Sequence, residues 1–410
     1  MSAVASTHQT LPRSADAVVV GGGTIGAWSA WFLRREGLDV VLLESSTLGK
    51  GASSRAAGMV RAQGGTEVAV RLGLYSRDFY RSQREILGID SGFVEQGYFM
   101  PCFTDHDVKA ATARIAMQQK LGLDVRWVDA HEFDVMNPAV QAKMTLGSSY
   151  AAEDGYVDPS RNVLAYTSAL VSSKVRIVER TAFTGLKTRD SHVVAVTTSA
   201  GEIATGRVVL TGGPTLAAVG RSAGVRIPTG GARHQVVVTE DHPDLAPERL
   251  PMVFDVAFGI YWRPEEGGVL WGMSNPVESP GVAHTFDWEY YEVARKRMSA
   301  LVPVTARLGV RKVWAATIDY TPDHLPILGP VIFDAGPVDG TTVAAAGGHG
   351  MMWGPGVSRA AADLVLRGRT DVVDTSDLGL DRFDEQGNSR LATDPIALPF
   401  PDVVGEPASR

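Results

Sequence analysis

Three glycines at fixed spacing carry the first chemistry in this sequence. Val18, Val19 and Val20 run into Gly21, Gly23 and Gly26, and a second apolar run, Val40 to Leu43, ends on Glu44. Gly21 suits a tight turn, Gly23 lets the backbone approach a pyrophosphate, and Gly26 lets a helix pack closely on a strand. The N-terminus of that helix offers unpaired N–H groups and a positive dipole end to phosphates. Glu44 is spaced to accept hydrogen bonds from an adenosine ribose. The chemistry specified is the binding of an adenine dinucleotide, without saying which.

The flanking pattern supplies the elements this chemistry needs. Ile25, Trp28, Phe32 and Leu33 form a helical apolar stripe, and Gly37 stops the helix. Residues 40–43 read as a strand buried on both faces. Pro159 opens a helix over 159–172, and strands are expected at 174–179, 192–198 and 207–210. The last of these ends on Thr211, Gly212 and Gly213, a second place for close backbone approach to a cofactor. A final helix opens at Gly354 and Pro355, turns Val357, Ala360, Ala361 and Leu364 to one face, and closes at Gly368. The run Gly347, Gly348, His349, Gly350 precedes it, a further glycine-rich approach to a helix N-terminus.

Between these motifs the texture changes. Stretches 68–87 and 108–120 read as helices, and 234–239, 252–262 and 268–273 as strands. The expectation is two interleaved domains: a cofactor domain from 15–65, 151–225 and 319–375, and a substrate domain from 66–150 and 226–318. Residues 1–14 are expected to be disordered, and 376–410 an irregular arm along the surface.

With 410 residues the chain can form two domains with large cores, and 44% hydrophobic content is ordinary for a globular protein. A net charge of −7 without a basic cluster argues against nucleic-acid or anionic-membrane partners. The single cysteine, Cys102, excludes an internal disulfide and reads as a small apolar filler. Single His and Asp residues do not fall at metal-ligand spacing, so no metal is expected. The segment from Ala17 to Leu33 is too short and too interrupted by glycine to cross a membrane, no signal peptide is visible, and a cytoplasmic location is expected.

Several separated motifs then coincide in order. They are 18–26 with Glu44, 51–58, 154–159, 211–213, 233–235, 259–264, 321–329 and 347–350 with its helix. With them the chain resembles the FAD-dependent amine and amino-acid oxidoreductases of the D-amino-acid-oxidase superfamily, nearest to the sarcosine oxidase, dimethylglycine dehydrogenase and glycine oxidase branch. The resemblance implies an α/β FAD-binding doubly wound (Rossmann-like) domain interleaved with an α+β substrate domain built on an antiparallel sheet. It implies FAD as cofactor, held by Gly21, Gly23, Thr24, Ile25, Gly26, Glu44, Ser45, Ser53, Ser54, Arg55, Ala57, Gly58, Met59, Phe183, Thr211, Gly212, Gly213, Gly348, Gly350, Met351 and Met352. Relatives that bond FAD covalently would place the linking histidine at Arg55 or the linking cysteine at Ala316, so non-covalent FAD is expected.

The same resemblance implies hydride removal from a carbon bearing nitrogen to flavin N5, giving an imine that hydrolyses. This chemistry needs a neutral amine and close placement rather than a triad. Candidate substrate groups are Arg61, whose fork suits a carboxylate, and Tyr261. Arg263 shares the strand face of Tyr261 as a reserve anchor, and His349 sits beside the flavin. His324 is a weaker candidate. The oxygen-activating lysine of the monomeric sarcosine oxidases would align near Trp271, and a second carboxylate-binding lysine with Met352. Oxidase and dehydrogenase therefore both stay open, with O2 or another acceptor. The substrate expected is a secondary amine, an N-methyl amino acid or a D-amino acid. Two alternatives are a 2-hydroxy acid or polyol-phosphate dehydrogenase, with His349 or His324 as base, and a flavoprotein subunit of a hetero-oligomer.

Overall fold

A computed structural model describes residues 11–245 and 250–400. Residues 1–10 of the expected disordered start and 401–410 of the expected arm lie outside the described residues.

The strand Ala17–Val20, the helix Thr24–Arg35 and the strand Val40–Leu43 form the first βαβ unit. Both strands are fully buried, as their unbroken apolar runs require. They pair in parallel with each other, and Val208–Leu210 and Arg176–Val178 extend the sheet on either side. Gly336–Ala345 continues it in parallel beyond Val208–Leu210. The outer strands Phe183–Arg189, His192–Thr198 and Gly201–Ala204 form an antiparallel flap joined to that edge.

A second sheet runs in the order Val310–Tyr320, Gly230–Thr239, Gly268–Met273, Ile260–Glu265, Met252–Asp255, Tyr98–Cys102, Gly147–Ala151, Arg126–Val128. Its pairs are antiparallel except Met252–Asp255 with Tyr98–Cys102, which are parallel. Those two strands are distant in sequence, so no hairpin dictates their direction. The run 252–262, expected as one strand, breaks into two at a turn where Gly259 takes φ +75°.

Trp28 ties the fingerprint helix to its surroundings. Its ring meets Phe79 edge-on at 5.0 Å and Tyr166 at 6.1 Å, so the helices Glu67–Leu87 and Pro159–Ser172 clamp Thr24–Arg35. The final helix Gly354–Arg367 packs alongside, with Ser358 Oγ donating to the Ile25 carbonyl at 2.8 Å. Among the described residues no helix is long and apolar enough to cross a membrane.

Two expectations at the chain ends are corrected. Residues 13–15 are ordered, because Ala204 bonds both Arg13 and Ala15 along an otherwise open strand edge. The arm after 376 does not simply follow the surface. Arg382 and Ile396 are buried, because Asp323 binds the Arg382 guanidinium at 2.7 Å and 3.0 Å.

Candidate active site

The two sheets meet around one elongated cavity of about 780 Å3. Gly21 forms the turn at its floor with φ +100°. A Cβ on Gly26 would stand 1.8 Å from the Gly21 carbonyl, so the helix can approach the turn only with glycine there. The first N–H of the helix, on Thr24, donates to Ser53 Oγ at 2.9 Å, which draws the 51–58 loop over the turn. Glu44 accepts from Gly22 N–H at 2.8 Å and Ser46 N–H at 2.7 Å, one on each carboxylate oxygen. Each oxygen keeps acceptor capacity for a further donor.

Some glycines on the cavity wall are not required by the protein's own packing. A Cβ on Gly350 would meet nothing within 4 Å, and one on Gly23 would meet only Ser53 Oγ at 3.3 Å. Both would instead project into the cavity. An extended cavity with a carboxylate at the end of the second strand, bare backbone at a helix N-terminus and a second glycine run at 347–350 fits a long dinucleotide.

The remaining lining residues form an apolar chamber with few polar groups. Arg61, Tyr98, His234, Phe254, Tyr261, His349, Met351 and Leu398 contribute to it. Arg61 is placed by its backbone: the buried carboxylate of Asp154 accepts the N–H groups of Ala62 at 2.8 Å and Gln63 at 3.3 Å. The Arg61 guanidinium lies over Phe254 at 5.4 Å and donates to the carbonyls of Gln63 and Ile396. Tyr261 stands opposite Gly272 in the sheet, and any Cβ on Gly272 would strike the tyrosine ring. The Tyr261 hydroxyl meets His234 Nε2, and His234 Nδ1 meets Ser274 Oγ at 2.8 Å.

Burial keeps His234 and Tyr261 neutral. It pushes the His234 imidazole down to about 4 and raises the Tyr261 phenol far above its ordinary value. His349 falls to about 3, through burial first and then the nearby Arg61 cation. Its ring stacks on Trp353 at 3.9 Å, and Nδ1 faces the Gly347 carbonyl at 3.1 Å. Asp319 also lines the cavity, with its carboxyl raised by burial and one oxygen without a hydrogen-bond partner.

Most of the anticipated residues converge. Gly21, Gly23, Thr24, Ile25, Gly26, Glu44, Ser45, Ser53, Arg55, Ala57, Gly58, Met59, Phe183, Thr211, Gly212, Gly213, Gly348, Gly350, Met351 and Met352 line the cavity, with Arg61, Tyr261 and His349. Four candidates do not. Ser54 turns its hydroxyl to the Gly51 carbonyl. Arg263 shares the strand face of Tyr261, but its guanidinium is engaged by the Ala57 carbonyl, Glu265 and the Tyr156 ring. Trp271 points the opposite way from Gly272 and packs on Tyr291 at 5.7 Å, in the core behind the sheet, with Trp262. His324 stacks against Tyr320 and Phe400 outside the cavity. His234, Phe254, Asp319 and Leu398 went unnamed as site residues. Only His234 lay in a quoted motif, on a strand whose alternation carries a signal for it.

A parallel sheet that offers a glycine turn to a dinucleotide, joined to a second sheet that closes a chamber beside it, is the architecture of a dinucleotide-dependent oxidoreductase. The model of the DAO family, FAD dependent oxidoreductase, matches residues 16–364, and the chain belongs to that family. It is 29% identical over 398 residues to 4-methylaminobutanoate oxidase (formaldehyde-forming) of Paenarthrobacter nicotinovorans, covering 94% of this chain and 48% of that protein. It is 27% identical to the mitochondrial sarcosine dehydrogenase of Mus musculus, covering 88% of this chain and 41% of the other. The chain thus spans less than half the length of these two relatives. The crystal structure of L-proline dehydrogenase from P. horikoshii superposes with a TM-score of 0.84 at 25% identity, covering 93% of this chain and all of that one. The cofactor of the family is FAD.

Proposed function

We propose that the chain oxidises the carbon–nitrogen bond of a secondary amine, an N-methyl amino acid or a D-amino acid, with FAD held non-covalently along the glycine turn and the 51–58 loop. The observation that carries this reading is one buried arginine, Arg61, facing a chamber it shares with Tyr261, His234 and His349, which burial holds neutral. Bound FAD supplies the two-electron acceptor for the hydride. Arg61 takes a substrate carboxylate, and its charge, with burial, favours the neutral amine over the ammonium. In the tautomer with the ring proton on Nδ1, Tyr261 donates to His234 Nε2 and its oxygen is free to accept from the substrate N–H. Phe254, Met351 and Leu398 exclude water from the reacting carbon.

Non-covalent attachment is inferred from the two positions where the resemblance would put a linking residue, which hold Arg55 and Ala316. Arg55 and Ala316 line the cavity, whereas Cys102 lies outside it and burial pushes its thiol up to about 11. Names of relatives that act on sarcosine and 4-methylaminobutanoate support the substrate class. The electron acceptor is O2 or another oxidant.

Anaerobic mixing of the flavin-loaded chain with amines, N-methyl and D-amino acids, and hydroxy acids tests the reading. Bleaching by the amines alone is the expected result. Bleaching by hydroxy acids alone, lost in His349→Ala, would replace it with alcohol oxidation. A relative named sarcosine oxidase subunit beta, from Rhodobacter capsulatus, is 23% identical over 90% of this chain and favours a second reading, a subunit of a larger flavoprotein. Failure of every donor to bleach the isolated chain would support that one.

A further inference from the structure

The family match ends at residue 364, yet the chain beyond it helps build the chamber. Asp323 is the anchor. Its carboxylate binds Arg382 through Nε at 2.7 Å and Nη2 at 3.0 Å and accepts from Ser389 Oγ, and its carbonyl accepts Asp394 N–H at 3.0 Å. The Asp394 carboxylate then accepts Ile396 N–H at 3.0 Å. Pro399 packs against Gly259, and Phe400 stacks on Tyr320 at 5.1 Å and His324 at 5.5 Å. Between these fixed points, Ile396 is fully buried with its carbonyl taking Arg61 Nη2 at 3.3 Å, and Leu398 lines the cavity.

We propose that the segment 394–400 is the specificity-determining wall of the chamber: Leu398 sets the size of the substrate's apolar body, and the Ile396 carbonyl positions the Arg61 guanidinium that takes its carboxylate. This rests on the reading of the chamber as a carboxylate-binding site beside the cofactor. The substrate class is then a carboxylated amine whose apolar substituent abuts Leu398. An arginine held by two backbone carbonyls is pre-oriented, so its remaining N–H groups meet a carboxylate with little reorganisation. A leucine wall discriminates by volume, because added or missing methylenes in an apolar pocket change binding about tenfold or more.

The test measures equilibrium binding, with no turnover. Acetate, butyrate and benzoate are titrated into the full-length flavin-loaded chain while the visible flavin spectrum is followed. Leu398→Ala is expected to raise the affinity ratio of benzoate to acetate about tenfold, and Leu398→Phe to lower it by a similar factor. Leu398→Val, which barely disturbs packing, is expected to follow the alanine variant by a smaller step and serves if that variant fails to fold. The proposal is overturned if the ratio is unchanged in the variants, if enlarging and shrinking Leu398 shift it the same way, or if no carboxylate perturbs the unaltered chain. The amine reading fails separately, when carboxylates bind as expected yet no amine bleaches the flavin.

Discussion

The Tyr261 hydroxyl and His234 Nε2 share a hydrogen bond inside the chamber, between strands that are not neighbours in the sheet. His234 in turn meets Ser274 Oγ at 2.8 Å through its other ring nitrogen. In the tautomer with Tyr261 donating to Nε2, the ring proton stands on Nδ1 and faces Ser274 Oγ. The Tyr261 oxygen is then a fixed acceptor. Tyr261→Phe is expected to slow flavin reduction about 10- to 100-fold at saturating amine, with flavin content retained. Stopped-flow reduction measures this, and an unchanged rate would remove Tyr261 from the reaction.

Acid stability reports the same histidine. The folded value of about 4 lies below the ordinary 6.5, so the unfolded chain binds this proton first as pH falls. The stability His234 contributes in its neutral form is fully present above pH 6.5 and is lost as pH falls towards about 4, with a slope approaching about 1.4 kcal/mol per pH unit. His349 acts in the same sense down to about 3. Buried Asp154, Asp319 and Asp394, whose carboxyls are raised by burial, act in the opposite sense. Comparing Tm against pH for the unaltered chain and His234→Asn cancels those shared contributions. The variant should lose less stability between pH 6.5 and 4; parallel curves would mean that His234 is not held neutral.

The sequence spoke most clearly where each residue answers a local demand. The positive φ of Gly21 and the contact of Gly26 with the Gly21 carbonyl are met within six positions, so their spacing alone conveys the turn. The chamber depends instead on register. A shift of one residue turns a strand's side chains to the other face, and Trp271, adjacent to Gly272, falls on the wrong one. His234 acquires its role from Tyr261, on another strand, and Ser274, just past the end of a third. The 394–400 wall looked like surface because Asp and Pro read as loop, while its anchor, Asp323, lies some 70 residues earlier.

Substitutions at Gly23 and Gly26 should separate cofactor binding from folding. Gly23→Ala places a methyl in the cavity with only Ser53 Oγ nearby at 3.3 Å. Flavin retention should fall while the cofactor-free Tm stays within a few degrees. Gly26→Ala drives a methyl into the Gly21 carbonyl and Thr211, a backbone clash expected to cost about 1–3 kcal/mol or more. Its cofactor-free Tm should drop. Equal effects of both substitutions on the cofactor-free protein would contradict this division.

Arg61→Met preserves apolar contact with Phe254 but removes the arginine fork that faces the chamber. A charge-assisted hydrogen bond contributes about 1.5–3 kcal/mol. The dissociation constant of a carboxylated amine should therefore rise about 10- to 150-fold, while an uncharged amine of similar size is affected little. Rapid-reaction titration of flavin reduction gives both constants. A parallel loss for the two amines would assign Arg61 a structural role.

Trp271 offers the sharpest separation between resemblance and geometry. Counting along the resemblance puts an oxygen-activating lysine near this position, so the tryptophan would explain slow reoxidation. In the fold its indole is 2% exposed and sits behind the sheet with Trp262 and Tyr291, away from the cavity. Trp271→Phe should leave the reoxidation rate of reduced flavin within about twofold, since no group near the reacting atoms changes. It should instead lower stability by about 1–3 kcal/mol through lost core volume. Trp271→Lys should fail to accelerate reoxidation and should destabilise more, because an ammonium is buried without a partner. Aerobic mixing of the reduced protein, with thermal melts of the same samples, measures both. A clear gain in oxygen reactivity from the lysine variant would mean that this face of the strand reaches the flavin after all.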